Sequence, residues 1–298
     1  MQYQKERFPL LQYTPLVAAF AASGLALSYM VNGRETFPNL NMFLTAFSVA
    51  LLVFMQLRIS DEVKDAEFDR IHHPDRPVPR GLIDLDSLKN LGLVIGLIQL
   101  VIVLKAGPVL TLPLFAIWVY LYLMHNEFFV GEWLSKHPVL YMLSHMGILF
   151  FTDLFITACH WMVLNIEPGQ ALLYFFGTSF KLGMIIEIGR KIKAPEEEIE
   201  GAKTYSNCWG VKNAVLIWLT TVFSSLVMAT ITAAQVGFGF QTAFLGSLLF
   251  VFCLWAGLSF ISSGSKKWSK RIESISGIWT LAVYLMVGVI PLVLNHIV

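Results

Sequence analysis

Three aspartates recur at four-residue intervals in the polar segment that follows the second apolar run of the chain, at Asp61, Asp65 and Asp69. No Pro or Gly interrupts this segment before Pro74, so a helix is predicted to continue to about residue 72. Each step of four residues turns about 40° around a helix, which places the three carboxylates in one slanted row. Magnesium typically binds one or two carboxylates together with substrate phosphate oxygens. The row therefore predicts a metal and diphosphate site, with a solvated helix end, paired to neighbouring basic residues, as the alternative.

A second polar segment, residues 187–211, combines acids and bases after the sixth apolar run. Its Arg190 and Lys191 supply direct counter-charges for phosphate oxygens, and an arginine offers a bidentate fork. The acidic run Glu196-Glu197-Glu198 is interpreted as a solvated surface in preference to a metal site. This segment is therefore predicted to hold diphosphate mainly through cations.

Three ionisable residues lie inside apolar runs: His145, Asp153 and Lys181. Such residues are costly in contact with lipid, so each is expected to face the interior of the bundle. Lys181 either reaches a diphosphate, pairs with Asp153 or extends toward the membrane surface. His145 is interpreted as a packing residue in preference to a catalyst, and Asp153 is a candidate to accept a proton inside the bundle.

The composition of the whole chain excludes an ordinary soluble fold. Of its 298 residues, 56% are hydrophobic and 14% charged, and the mean hydropathy is +0.66. Soluble domains average about 25% charged residues. Runs of about 20 apolar residues can cross a hydrocarbon core as helices. The sequence predicts an all-α polytopic membrane protein with spans near 14–31, 39–58, 86–104, 109–125, 138–160, 169–189, 212–234, 241–262 and 275–295.

The distribution of basic residues predicts the orientation of these spans. Eighteen of the 21 lysines and arginines lie at the N-terminus or in the loops after spans 2, 4, 6 and 8, while Arg34 and Lys105 lie on the opposite side. By the positive-inside rule, the N-terminus and both polar segments are cytoplasmic and the C-terminus is on the other side. One transmembrane domain is predicted over residues 1–298, with residues 59–85 and 187–211 forming a cap over the site. No basic tract suggests nucleic acid, and the three cysteines have no metal-ligand spacing.

The first polar segment resembles the UbiA superfamily of intramembrane prenyltransferases. The resemblance rests on Asp61-Glu62-x-x-Asp65-x-x-x-Asp69, on Asp69-Arg70, and on Arg76-Pro77-x-Pro79-x-Gly81. Asp61 replaces the usual asparagine of that motif, and Glu62 replaces the adjacent aspartate. The family's nine spans also agree with the predicted number, so the resemblance implies a UbiA-like bundle with a central cavity that opens to the cytoplasmic side.

The second polar segment departs from the family's pattern. Its Gly201-x-Lys203-Thr204 matches the end of the family's second motif, but Arg190 and Lys193 stand where aspartates are expected. If Pro195 marks a small insertion, Glu187 replaces the leading aspartate instead. Because basic residues replace carboxylates in this segment, one metal ion is expected where relatives of this family bind two.

The resemblance implies a Mg²⁺-dependent prenyltransferase that ionises an allylic isoprenyl diphosphate and transfers the prenyl group to a lipophilic acceptor, aromatic compounds and archaeal-type lipid precursors included. The implied metal ligands are Asp61, Asp65, Asp69 and Glu187. The implied diphosphate ligands are Arg58, Arg70, Lys181, Arg190 and Lys191. The alternatives are a membrane terpene cyclase of the same superfamily, or a cation or lipid transporter. The acids lie at a helix end and not at the midplane where transporter sites usually lie, which disfavours the transporter.

Overall fold

The computed structural model describes residues 2–34, 36–199, 201 and 204–297, and within these residues all regular elements are helices. The helices are α1 (Gln2–Arg7), α2 (Leu10–Met30), α3 (Leu40–Lys64), α4 (Ala66–His72), α5 (Leu85–Ala106), α6 (Thr111–His125), α7 (Gly131–Ser135), α8 (Pro138–Trp161), α9 (Ala171–Arg190), α10 (Tyr205–Trp209), α11 (Val211–Ala234), α12 (Gly239–Ser263), α13 (Lys266–Tyr284) and α14 (Ile290–Ile297). Short single turns lie at Pro108–Leu110, Glu127–Phe129, Pro195–Glu197 and Leu285–Val289.

Nine segments of the described chain are long and apolar enough to cross a membrane, which confirms the predicted all-α polytopic fold. The last span differs most from its predicted bounds, since it runs over Lys266–Ile297 and begins nine residues before residue 275. Its first turns are basic and contain no Pro or Gly, so they form helix although they are not apolar. A π-helical turn at Leu285–Val289 then precedes Pro291. Proline has no N–H to donate to the carbonyl four residues earlier, which accounts for this local irregularity.

Successive spans are neighbours in space, and the last span packs against the first. The order of contacts is α2, α3, α5, α6, α8, α9, α11, α12, α13 and back to α2. The spans therefore form a closed ring. Across this ring, α8 also contacts α2 and α3, and α9 also contacts α13.

Hydrogen bonds between helices tie the interior of the ring together. Trp218 Nε1 donates to Ser276 Oγ and Trp279 Nε1 donates to Ser225 Oγ, both at 2.9 Å. Gly288 lies directly against the backbone of Ser23, where a Cβ would approach the Ser23 Cα to 2.5 Å. Small residues and interhelical hydrogen bonds are the usual means of helix association in a membrane. The two hydrogen bonds join α11 to α13, and Gly288 brings the end of the last span against α2.

The N-terminus and the loops after spans 2, 4, 6 and 8 meet at one end of the bundle. The contacts that join them are Arg7 with Glu62, Lys64 with Glu127, and Glu197 with Ser269. These contacts link the N-terminus with the loops after spans 2 and 4, and the loop after span 6 with the start of the last span. That this end faces the cytoplasm stays a prediction from the charge distribution.

Candidate active site

The aspartate row lies on nearly continuous helix, as its spacing predicts. Helix α3 ends at Lys64 and α4 ends at His72, with only Asp65 between them outside helical geometry. The backbone N–H groups of Asp65, Asp69 and His73 each donate to the carbonyl four residues earlier at 2.8 Å. The three carboxylates are thus one turn apart.

The three carboxylates of the row differ in burial and in their ion-pair partners. Asp69 is buried, with 2% of its surface exposed, and it forms ion pairs with Arg76 and, at 3.8 Å, with Arg7. By contrast, Asp61 keeps 52% of its side-chain surface exposed and its nearest cation, Arg58 Nη1, is 3.8 Å away. Asp65 is exposed as well. Asp61 and Asp65 therefore present open carboxylates, whereas the oxygens of Asp69 are occupied by arginines.

A buried arginine clamp supports this row from the N-terminal side. Glu62 is 2% exposed and accepts hydrogen bonds from Arg7 Nε and, at 3.1 Å, from Arg58 Nη2. Helix α1 is held in place further by Glu6, whose carboxylate accepts a 2.7 Å bond from Arg80 that lowers the pKa of Glu6. Buried charges need such pairing because desolvation of an isolated ion costs several kcal/mol. Sequence reasoning missed Arg7, Glu62 and Arg76 as members of the site.

The second polar segment brings a pair of cations against one acid. Glu187 Oε2 accepts from Arg190 Nη2 and Glu187 Oε1 from Lys191 Nζ, both at 2.7 Å. Lys191 Nζ also lies 5.6 Å from the ring centroid of Tyr205. Burial, and then the charge of Glu187, raises the pKa of the Tyr205 hydroxyl. Glu187 thus fixes the position of both cations.

The two polar segments face each other across the end of the bundle. Asp61 on α3 interacts electrostatically with Arg190 and Glu187 on α9, and Asp65 with Lys191. Desolvation by the surrounding protein, and then the charge of Asp69, raises the pKa of Asp65. A cation bound here would stabilise the ionised form of Asp61 and Asp65. An anion would be attracted to Arg190 and Lys191 on the opposite side.

A third group lines the same end of the bundle from the loop after span 4. Lys64 Nζ lies 3.1 Å from Glu127 Oε1 and 3.2 Å from Tyr141 Oη. Burial raises the pKa of Glu127, but the hydrogen bond and charge of Lys64 outweigh it, so the pKa of Glu127 lies below its usual value. The ring of His145 stacks on Tyr141 with 4.1 Å between the centroids. This group places a hydroxyl and an imidazole beside the acidic row.

The donor set fits a magnesium ion that is shared with a substrate. Within the part of the chain that the structure describes, no three carboxylate, imidazole or thiolate side chains converge on one point. Magnesium, however, usually takes only one or two protein carboxylates and completes its shell with water and phosphate oxygens. Asp61 and Asp65 suit this role because their carboxylates are open and one helical turn apart. Asp69 and Glu187 as metal ligands stay predictions, and each is bound to two cations in this structure.

Several other predicted residues form no ion pair or hydrogen bond with Asp61, Asp65 or the basic pair among the described residues. Arg70 pairs with Glu67 at 3.0 Å and keeps 71% of its side chain exposed. Lys181 is half-buried and forms no ion pair or hydrogen bond within the described residues, so it does not pair with Asp153. Asp153 is fully buried and lies twelve residues beyond Tyr141 on α8, about 18 Å along the helix. Lys203 of the second motif lies outside the described residues.

The described chain thus forms a closed ring of helices that are long and apolar enough to cross a membrane, with an acidic segment opposite a basic pair at a single end. The family model of the UbiA prenyltransferase family matches residues 16–279, and the chain belongs to this family. It is therefore a prenyltransferase, an enzyme that transfers alkyl groups. The matched range includes both polar segments, whereas Arg7 and the rest of α1 precede it.

Relatives with named activities agree with this assignment. The chain is 25% identical over 269 residues to a digeranylgeranylglyceryl phosphate synthase of Saccharolobus solfataricus, a match that spans 87% of this chain and 89% of the relative. It is 24% identical over 241 residues to the synthase of the same name from Thermococcus sibiricus, with 77% and 78% covered. A solved structure from a study of digeranylgeranylglyceryl phosphate synthase in membranes superposes with a TM-score of 0.62 at 17% identity over the full length of both chains. That superposition supports the fold.

Proposed function

We propose that the protein transfers a prenyl group from an allylic isoprenyl diphosphate to the hydroxyl group of a lipid that carries glycerol phosphate. The observation that carries the proposal is the placement of the open carboxylates of Asp61 and Asp65 opposite Arg190 and Lys191. The names of both relatives favour a glycerol phosphate lipid over the aromatic acceptors also considered from the sequence.

The first chemical step breaks the bond between C1 of the prenyl group and the diphosphate oxygen, and both electrons leave with the diphosphate. Arg190 and Lys191, held by Glu187, stabilise the negative charge that grows on this leaving group. Magnesium bound by Asp61 and Asp65 would add positive charge at the same place. Because these groups are already oriented, little reorganisation is needed when the bond breaks.

The second step forms the ether bond between C1 and the acceptor oxygen, and the hydroxyl proton must pass to a base. Asp153, the base predicted from the sequence, lies about 18 Å along α8 from Tyr141, which itself interacts with Asp61 and Asp65. His145 is only four residues from Tyr141. Its Nδ1 lies 2.9 Å from the Tyr141 carbonyl oxygen, so Nδ1 carries the proton and Nε2 keeps a free lone pair. Buried Nε2 has no hydrogen-bond partner within the described residues. The geometry thus favours His145 over Asp153 as proton acceptor.

Substitution of these two residues separates the roles. His145→Asn keeps an amide N–H for the Tyr141 carbonyl but removes the Nε2 lone pair, so we expect the rate of ether formation to fall about 100-fold. The KM for the isoprenyl diphosphate should stay within twofold of the wild type. Asp153→Asn should retain most of the transfer rate. The rates are measured by mass spectrometry of the lipid product. A large loss in Asp153→Asn together with a near-normal rate in His145→Asn would show that Asp153 is the proton acceptor.

Arg190 offers a direct test of diphosphate binding. Arg190→Ala removes a charged donor aimed at the leaving group, and hydrogen bonds to charged groups contribute about 1.5–3 kcal/mol. We therefore expect the KM for the isoprenyl diphosphate to rise at least about tenfold. Lys193→Gln is the matched control, because Lys193 lies in the same segment but faces Glu273 at 3.7 Å. If the KM for the isoprenyl diphosphate is unchanged in Arg190→Ala, Arg190 does not bind the diphosphate.

The activity itself is tested with purified protein, Mg²⁺, geranylgeranyl diphosphate and a glycerol phosphate lipid that bears one prenyl ether. The expected result is diphosphate release together with a doubly prenylated lipid, lost on chelation of the metal. A cyclic hydrocarbon formed without an acceptor would identify a cyclase instead. Transfer to an aromatic acceptor alone would overturn the lipid assignment while leaving the prenyltransferase intact.

A further inference from the structure

A cavity with both polar and apolar lining residues lies at the end of the bundle opposite the acidic row. It has a volume of about 520 Å³ and lies where the start of α3 meets the ends of α5 and α8. Its polar lining comes from Asn39, Asn41, Thr45, Ser48 and Lys105. Typical small-ligand sites measure roughly 300–1,000 Å³. The cavity is thus large enough for a lipid headgroup.

Three of the polar side chains that line this cavity, those of Thr45, Ser48 and Lys105, have no hydrogen-bond or ion-pair partner among the described residues. Thr45 is 7% exposed, yet neither its hydroxyl nor that of Ser48 takes part in a side-chain hydrogen bond within the described residues. Lys105 likewise has no ion pair there. Hydroxyl groups several residues inside a membrane helix normally bond to a neighbour, since an unmade bond costs free energy in an apolar medium. These groups therefore point to a ligand that supplies acceptors.

The charge of the cavity selects an anion. Among the described residues, Lys105 is the one charged residue in its lining, and none of those lining residues is an acid. Arg34, the other basic residue at this end, stacks against Tyr29, whose hydroxyl donates to Met42 in the cavity wall at 3.3 Å. Arg34 is thus linked to the cavity wall through Tyr29 and Met42, although it does not line the cavity itself.

The rest of the wall matches the chain portion of a lipid. Apolar side chains flank the polar ones, namely Leu44, Ile102, Leu110 and Val163. A free phosphate ion would leave this surface uncovered, whereas the first methylene groups of acyl or prenyl chains would bury it. Asn39 already accepts a hydrogen bond from the Asn41 N–H, which leaves its own amide N–H₂ free to donate.

We infer that this cavity binds the phosphate group of an anionic membrane lipid, with Lys105 as its counter-charge and Thr45 and Ser48 as hydroxyl donors. The site is distinct from the diphosphate centre and lies at the opposite end of the helices. It does not depend on the proposed reaction.

The test compares lipid binding to wild type and variants in neutral detergent by native mass spectrometry and thermal shift. Wild-type protein should retain one phosphatidylglycerol per chain and gain thermal stability from it, with no such effect of phosphatidylcholine. Lys105→Gln should weaken the retention about tenfold, as expected for a charged hydrogen bond. Lys136→Gln is the matched control, because Lys136 is an exposed lysine at the opposite end of the bundle.

Thr45→Val provides a second variant that keeps the size and the charge of the cavity, and it too should weaken retention. Equal losses in Lys105→Gln and Lys136→Gln would show non-specific attraction and overturn the proposal. Soluble glycerol 3-phosphate that stabilises the protein as well as the lipid does would overturn the assignment to a lipid. If Lys105→Gln and Thr45→Val both retain phosphatidylglycerol as the wild type does, the cavity is not the lipid-binding site.

Discussion

Asp65→Asn is expected to slow diphosphate release at least about 100-fold while the protein stays folded. The carboxylate of Asp65 is exposed, one turn from Asp61 and opposite Lys191, so it can share a cation with a phosphate group. The amide keeps the shape of the side chain but loses its negative charge, and loss of one preoriented electrostatic group commonly costs 100- to 1,000-fold in rate. The measurement is diphosphate release at saturating isoprenyl diphosphate over a series of Mg²⁺ concentrations.

Glu67→Gln is the matched control for Asp65→Asn. Glu67 is an acid in the first turn of α4, which begins directly after Asp65, but 84% of its side chain is exposed and its one ion pair among the described residues is with Arg70. Its substitution should leave the rate within twofold of the wild type. If both variants lost activity equally, the negative charge of the helix as a whole would be responsible, and a specific role for Asp65 would be excluded.

Hydropathy and the positions of Pro and Gly were enough to predict the spans and where the helix that carries the aspartate row ends. Each apolar run is long enough to cross the membrane, and the absence of Pro and Gly before Pro74 predicted helix to about residue 72, as found at His72. Spacing also predicted that the carboxylates lie one turn apart. It did not predict that Asp69 is buried, because burial depends on what packs over the helix.

The supporting residues were missed because their partners are distant in sequence. Arg7 and Glu62 are 55 residues apart, and Lys64 and Glu127 are 63 apart. Periodicity shows which residues share one face of a helix. It does not show which other helix packs against that face. The same limit applies to Asp153 and Lys181, whose pairing was one option from the sequence and does not occur in the structure.

Arg7→Gln is expected to have the largest effect on stability, lowering the free energy of unfolding by about 3 kcal/mol, since breaking a buried ion pair leaves an uncompensated charge. Arg7 contacts two acids at once, Glu62 and Asp69, and its own side chain is only 13% exposed. Diphosphate release should fall too, because the position of α4 relies on this bridge. Lys5→Gln, an exposed change on the same helix, should leave both quantities unchanged.

A double-mutant cycle distinguishes a positioning role of Arg7 from a general contribution of α1 to packing. If Arg7 acts by neutralising Glu62, then Glu62→Gln removes the charge that Arg7 offsets, and the double variant should be more stable than Arg7→Gln alone. Arg7→Lys should recover only part of the activity, because a lysine lacks the planar fork that spans both acids. Additive losses in the cycle would contradict the clamp. They would show instead that α1 stabilises the site through contacts such as that of buried Tyr3, which packs with Ile59 and Leu88.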